Sequence, residues 1–400
     1  MSRTRSGMAT NPLAIGAEWL ASIEALPTSV RAVFGYYADT GVFDLRALTV
    51  KSHVDAQMDA IFEEAFTMIE SALAAEFEVD SIEFSYETKL TLPARLTLGY
   101  LYRRILEDST GDSNPFTGRS SSGWLGRSRL LGDGRRSVDH SEATRELVDR
   151  VDRANRITAL IVEALIDGDM RDALNDDEFE DFVVDITLDD LEDQRRIAEV
   201  AQSTLKQSID RRFETFPAAV REAHHRAVEI SEAHQDRDEG FRALIDREDR
   251  ESAIRTEYKS TAFDDPPALF DAEILDLPYF KTQYDRVGVI YDGMIDMYRG
   301  AGFAINDDFK RSIILAIIGA QIWLDDVSDY ADDLEEGQLT PVTAEYLLAD
   351  RDSEAHERVV TIAETYLDYA KRYATASDTP MTGIAVEYIY RDGKPDHLPR

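Results

Sequence analysis

A segment that is apolar nearly all round, Ser312 to Leu324, constrains the fold of this chain more than any other feature. Its sequence, SIILAIIGAQIWL, is too short to span a bilayer, because a transmembrane helix needs roughly 20 apolar residues. A helix without a polar face must instead be surrounded by other elements of the same protein. The segment therefore predicts the buried central helix of a helical bundle.

Helical periodicity covers most of the remaining chain. Ser141 offers an N-cap for the longest helical region, and residues 79 to 91 are the one ambiguous segment. We therefore predict an all-α fold. The predicted helical stretches are 12 to 37 with a break near Pro27, 49 to 78, 93 to 108, and 141 to 376 with breaks near Asn175, Pro217, 264 to 267 and Pro278.

A segment rich in Gly, Ser and Arg lies between Asp108 and His140 and lacks periodicity. Such composition predicts a long loop or a domain boundary. Its arginines could fold over an anionic ligand, although a solvated mobile loop is the favoured interpretation. The predicted organisation is an N-terminal helical region over 1–110, the loop over 111–140, a helical bundle over 141–378 and a C-terminal tail over 379–400.

The chain is strongly acidic, with 79 Asp and Glu against 44 Lys and Arg and a formal net charge of -35. Among the basic residues, Lys is much rarer than Arg. Such a charge drives the compact state apart at low ionic strength, whereas in molar salt the Debye length falls to roughly 3 Å. Salt adaptation explains both biases, and we predict a halophilic protein.

The composition also excludes several classes of function. No basic stripe outside the Gly/Ser/Arg-rich segment could neutralise phosphates, so we expect no nucleic-acid partner. The chain has no Cys, so a metal site would use carboxylates or histidines, which suits Mg²⁺. No apolar run resembles a secretory signal or reaches 18 residues, so we expect a cytoplasmic protein that is not integral to a membrane.

Acidic residues follow the apolar helix directly. Asp325, Asp329 and Asp333 recur every four residues and therefore share one helical face, with Asp326 beside them. These four residues are called the acidic ladder below. A solvated charged face is the competing interpretation, because acids are abundant throughout the chain. The ladder nevertheless favours function, since a solvated charge run seldom continues from so apolar a helix.

The same DDxxD spacing occurs earlier, at Asp189, Asp190 and Asp193, where a solvated face is an equally good interpretation. Two acidic faces that oppose each other across a bundle could hold several divalent ions. Such ions would neutralise the leaving group of a diphosphate ester while an allylic carbocation forms in a dry cavity. A competing first motif, Asp167-Gly-Asp169-Met-Arg-Asp172, also follows an apolar helical stretch but departs from the DDxxD spacing.

Residues 281 to 341 resemble the second half of a trans-isoprenyl diphosphate synthase, a branch of the class I terpenoid synthases. Lys281-Thr282, Gln321 and the second DDxxD stand in the order of that family, and Gly337 to Pro341 is similar to the turn that follows. The stretch is equally similar to the second acidic motif of squalene and phytoene synthases. Both branches remain open.

The resemblance implies a helical bundle of the class I terpenoid synthase type with extra N-terminal helices. It implies a Mg²⁺-dependent prenyltransferase or terpene synthase acting on an allylic isoprenoid diphosphate, with about three Mg²⁺ ions and with a homodimer as one assembly that the family allows. Asp325, Asp329 and Asp189 would be catalytic, and Lys281 and Arg286 would contact the diphosphate. The implied metal ligands are Asp189, Asp190, Asp193, Asp325, Asp326, Asp329 and Asp333.

One departure from the family bears on the elongating branch. Chain-elongating synthases follow the first motif with two arginines and a glycine some residues later, whereas Arg195 and Arg196 follow Asp193 almost at once and no such glycine is present. The alternative to an enzyme is a non-catalytic helical scaffold or binding protein with a halophilic acidic surface. A catalytic protein requires the two acidic faces to oppose each other.

Overall fold

The computed structural model describes residues 12–23, 26–42, 45–86, 88, 90–108, 142–186 and 191–400. The predicted loop over 111–140 lies outside these residues. The chain folds as two compact units. Unit 1 comprises 1–44, 222–295 and 304–400, and unit 2 comprises 45–221 and 296–303.

The described elements are overwhelmingly helical, and the predicted all-α class is confirmed. Three further segments are π-helical, and 395–397 forms a short 3-10 turn. The α-helices are α1 Pro12–Ala21, α2 Thr28–Thr40, α3 Leu45–Glu76, α4 Leu92–Asp108, α5 Glu142–Asp176, α6 Leu191–Phe213, α7 Ala218–Gln235, α8 Asp238–Arg242, α9 Arg250–Ala253, α10 Ala272–Leu275, α11 Phe280–Gln283, α12 Val289–Gly300, α13 Asp307–Ala320, α14 Tyr330–Glu336, α15 Pro341–Leu348, α16 Asp352–Ala376 and α17 Pro380–Asp392.

In unit 2 the long helices α3, α4, α5 and α6 pack against one another. The apolar residues that recur at helical spacing in α3 form its buried face. Val54, Met58 and Ile69 on this face are fully buried. The ambiguous segment before α4 holds a short strand, β1 (Phe84–Tyr86). It pairs antiparallel with β2 (Phe182–Val184), with Ser85 opposite Val183.

In unit 1 the predicted central helix is α13, which packs along α16. Its capping is local, because the Asn306 side chain accepts a hydrogen bond from the Asp308 backbone N–H at 2.7 Å. The two helices approach closely at Gly319, where an added Cβ would lie 2.8 Å from Leu367 Cδ2. The buried face of α13 includes Ile313, Ile314, Leu315 and Ile318.

Helix α17 occupies most of the region that the sequence predicted as a C-terminal tail. It packs against α2 and α16 within unit 1, and Gly383 lies so close to the Tyr36 ring that a Cβ at this position would overlap it. The N-terminal helices α1 and α2 thus share a core with the C-terminal helices. Across the described part of the chain, no helix has both the length and the apolarity to cross a membrane.

Candidate functional site

Three π-helical segments mark one region of unit 1: Ile254–Lys259, Tyr284–Gly288 and Gln321–Asp326. In a π turn the hydrogen bond spans five residues, so the extra residue changes the direction of the side chains that follow. Such turns are rare and occur frequently at functional sites. The three segments carry Tyr258, Arg286 and Asp326 respectively, and these three groups influence one another electrostatically.

Asp326 is the buried member of the acidic ladder, with 2% of the residue exposed. Its Oδ1 accepts a hydrogen bond from Arg286 Nη1 at 3.3 Å and a longer one from Gln321 Nε2 at 3.5 Å. Its Oδ2 is buried without a hydrogen-bond partner among the described residues. Burial raises the pKa of Asp326 to about 7, while the positive charge of Arg286 acts in the opposite direction.

The other three carboxylates of the ladder follow the predicted spacing. Backbone hydrogen bonds run from Asp329 N–H to Asp325 C=O at 2.9 Å and from Asp333 N–H to Asp329 C=O at 2.8 Å. The Asp325 and Asp329 side chains are exposed, and Asp333 is half-buried. Burial raises the pKa of Asp333 to about 6, with the negative charges of Asp329 and Asp325 adding to the effect. The structure thus brings this predicted group together.

Lys281 lies on α11, at the start of the same continuous helix as Arg286, and is held by a carboxylate. Asp285, of which 5% is exposed, accepts hydrogen bonds from Lys281 and from Arg237 Nη2, the latter at 2.9 Å. The Lys281 ammonium also lies 5.1 Å from the centre of the Phe263 ring. Both predicted diphosphate contacts, Lys281 and Arg286, are therefore paired with carboxylates in this structure.

Two buried polar side chains that the sequence did not single out belong to this region. Burial lowers the pKa of His234 to about 4, and the nearby charges of Arg286 and Arg237 act in the same direction, so its imidazole is neutral at pH 7. Gln283 is fully buried, and neither its amide oxygen nor its amide nitrogen has a hydrogen-bond partner in the described residues. Neither residue stands in a recognisable motif, so only their burial identifies them.

The first DDxxD motif lies in unit 2, and its two leading residues, Asp189 and Asp190, lie outside the described residues. Asp193 is in the first turn of α6 and is half-buried. The ladder belongs to unit 1. The hypothesis that the two motifs form opposite faces of one metal site therefore stays a prediction.

The competing first motif lies near the end of α5, in unit 2. Asp167 accepts a hydrogen bond from Gln202 Nε2 at 2.8 Å, and burial raises its pKa. Burial also raises the pKa of Asp169, against the hydrogen bonds that Thr88 and Tyr86 donate to it. Two neighbouring carboxylates with raised pKa values are more typical of a functional site than of a solvated acidic face.

The ladder has the donor chemistry that Mg²⁺ requires, because carboxylate oxygens are the ligands this ion prefers. Asp325 and Asp329 present exposed carboxylates one turn apart, and the buried Oδ2 of Asp326 lacks a partner among the described side chains. Within the described ranges, no three His, Asp or Glu side chains converge in an arrangement that would hold a metal ion. The ladder therefore matches Mg²⁺ in the chemical type of its oxygen donors.

Comparison with known proteins adds no relative. No protein-family model matches the chain, and no curated protein or solved structure is significantly similar to it. The proposed function therefore depends on the fold class, the site geometry and the motifs of the sequence.

Proposed function

We propose that the protein is a Mg²⁺-dependent enzyme, a prenyltransferase or terpene synthase, that acts on an allylic isoprenoid diphosphate. The observation that carries the proposal is the hydrogen bond from Arg286 to the buried Asp326, directly beside the exposed carboxylates of Asp325 and Asp329. A cation thus lies next to a carboxylate ladder at the end of a buried helix. The similarity of residues 281 to 341 to the class I terpenoid synthases supports the same function.

The cations of this region would bind the diphosphate of the substrate. Arg286 is 37% exposed in its side chain, so its guanidinium can leave Asp326 for an incoming phosphate oxygen. Asp285 positions Lys281, and Arg237 neutralises part of the negative charge of Asp285. Lys281 and Arg286 are paired with carboxylates before the substrate binds and would be paired with the diphosphate afterwards.

The exposed carboxylates of Asp325 and Asp329 would supply ligands to Mg²⁺, with Asp326 nearby. When bound, Mg²⁺ would neutralise the negative charge that develops on the leaving diphosphate. Tyr258 and Tyr284 belong to the buried core of unit 1, and the partly buried Phe263 packs against it. These rings would exclude water from the allylic carbon and could face a positive charge.

The test is release of inorganic diphosphate from farnesyl and geranylgeranyl diphosphate by the purified full chain, with MgCl₂ in molar KCl. The Asp325→Asn variant is expected to lose at least about a hundredfold in turnover, because a neutral amide is a poor Mg²⁺ ligand. The matched control is Asp332→Asn, which removes an exposed carboxylate seven residues further on, outside the ladder. This control is expected to keep full turnover.

Two results would count against the proposal. Equal turnover in Asp325→Asn and Asp332→Asn would remove the ladder from the chemistry. Absence of diphosphate release from either substrate by the folded wild-type protein would favour the alternative of a non-catalytic helical binding protein.

A further inference from the structure

Unit 2 contains an open cleft of about 720 Å³ between helices α3, α5 and α6. Its volume falls within the range that small-molecule sites usually occupy. The cleft belongs entirely to unit 2 and includes neither the acidic ladder nor the first acidic motif. Ile61 and Ala159 form its apolar floor. The other described lining residues are polar or charged.

One wall of the cleft is built on a buried ion pair. Arg212 donates to both carboxylate oxygens of Glu163, at 2.9 and 3.0 Å, and a second nitrogen lies 2.8 Å from Oε1. The Glu163 side chain is 1% exposed and Arg212 is 21% exposed. Because Glu163 fixes its guanidinium, Arg212 forms a rigid part of the lining rather than a mobile surface side chain.

A second fixed group lies on α5. Asn155 is 9% exposed, and its Oδ1 accepts a hydrogen bond from the Tyr102 hydroxyl at 2.5 Å. An amide whose oxygen is engaged in this way presents its N–H₂ donors on the other side. Since Asn155 lines the cleft, those donors are available to a ligand.

Two exposed arginines flank Asn155 on the same helix. Arg153 and Arg156 both line the cleft, three residues apart and therefore one turn apart. Within the described residues, neither guanidinium forms an ion pair with a carboxylate, although acidic residues outnumber basic residues in the chain. Two adjacent guanidiniums on one helical face are suited to a phosphate group.

The rest of the lining restricts the class of ligand. Gln57, Asp149 and Asp152 offer oxygens that accept hydrogen bonds from hydroxyl groups. Glu64, which also lines the cleft, already accepts a hydrogen bond from Arg212 at 2.9 Å. No aromatic ring is among the described lining residues, so nothing there would stack on a nucleobase. The small apolar area formed by Ile61 and Ala159 is also insufficient for a prenyl chain.

We propose that this cleft is a second ligand site, which binds a small phosphorylated polyhydroxy compound of the sugar phosphate class. Arg153 and Arg156 hold the phosphate, the Asn155 amide donates to a hydroxyl oxygen, and Gln57, Asp149 and Asp152 accept hydrogen bonds from the hydroxyl groups. This site is independent of the proposed reaction at the acidic ladder, so either proposal can fail alone.

Isothermal titration calorimetry of the full chain in molar KCl, with glucose 6-phosphate as the probe, tests the site. Glucose and inorganic phosphate are titrated separately, and each is expected to bind at least about tenfold more weakly than the combined molecule. Adenosine monophosphate, which carries the same phosphate on a nucleoside, is expected to bind more weakly than glucose 6-phosphate as well.

Arg156→Gln and Arg153→Gln are each expected to weaken glucose 6-phosphate binding about tenfold or more. Both side chains are exposed, so their replacement leaves the core intact. The matched control is Arg145→Gln, which removes an exposed arginine of α5 outside the cleft and is expected to leave binding unchanged. The proposal is overturned by absence of binding, by equal binding of adenosine monophosphate, or by equal affinity in Arg156→Gln, Arg153→Gln and Arg145→Gln.

Discussion

Replacement of Arg212 by Gln should expose how much unit 2 depends on its buried ion pair. The substitution removes the guanidinium that contacts both oxygens of Glu163, a carboxylate with 1% of its side chain exposed. Leaving a buried charge without its partner costs about 3 to 5 kcal/mol. The further contact of Arg212 with Glu64 adds little, because the Glu64 side chain is 60% exposed. Since Arg212 itself is partly exposed, we expect the lower end of that range, about 3 kcal/mol of unfolding free energy.

The loss should depend on pH in a defined direction. Burial raises the pKa of Glu163, and Arg212 opposes this effect, so removal of Arg212 lets the pKa rise further. A carboxyl group with a raised pKa in the folded state favours folding at low pH, and that contribution is lost as the pH rises through the folded-state pKa. Arg212→Gln should therefore lose more stability at pH 8 than at pH 5.5, because the protonated fraction of Glu163, which carries no unpaired charge, increases as the pH falls.

Urea unfolding followed by helical circular dichroism, at constant molar KCl and at both pH values, measures the effect. Arg211→Gln is the control, because Arg211 is the exposed neighbour and donates to the Gln207 carbonyl at 3.2 Å. Its expected change is within about 0.5 kcal/mol. The double variant Glu163→Gln with Arg212→Gln should regain much of the loss. An Arg212→Gln loss no larger than that of Arg211→Gln would refute the reasoning.

Two further predictions concern packing and salt. Gly319→Ala should cost about 1 to 3 kcal/mol of unfolding free energy, because its Cβ would lie 2.8 Å from Leu367 Cδ2. Gly168→Ala should stabilise the protein instead, because nothing lies within 4 Å of a Cβ at this helical position. Thermal unfolding of the two variants measures the difference. Lowering KCl to tens of millimolar should reduce the helical circular dichroism, since the repulsion of a net charge of -35 is then weakly screened. An unchanged spectrum would contradict salt adaptation.

The local helical structure followed from the sequence because hydrophobic periodicity and breaking residues act over a few positions. The break at Pro27 separates α1 from α2, and the stripe of α3 that contains Val54 and Met58 faces the core. The pairing of β1 with β2 did not follow, because each strand has three residues and the partners are far apart along the chain. The helical content of 380–392 also went unrecognised, in a region predicted as a tail.

The candidate site was predictable only in part. The spacing of Asp325, Asp329 and Asp333 predicted a shared helical face. Backbone hydrogen bonds join these residues four apart, although helix α14 begins only after Asp329. The partners of Lys281 and Arg286 could not be predicted, because Arg237 and Asp326 lie far from them in sequence. The metal and diphosphate roles of these residues, and the role of Asp189, Asp190 and Asp193, stay predictions.

By itself the sequence determined that Ser312 to Leu324 is buried and that a carboxylate ladder follows it, since both depend on residue type and helical period alone. Only the tertiary structure decided that the ladder divides, with Asp326 buried against Arg286 and Asp325 exposed. Asp325 and Asp326 both lie on the π turn over Gln321–Asp326, and the physical reason is packing, because Asp326 faces Arg286 on another element. Neither that turn nor the cleft lined by Arg153 and Arg156 can be predicted from a periodic pattern in the sequence.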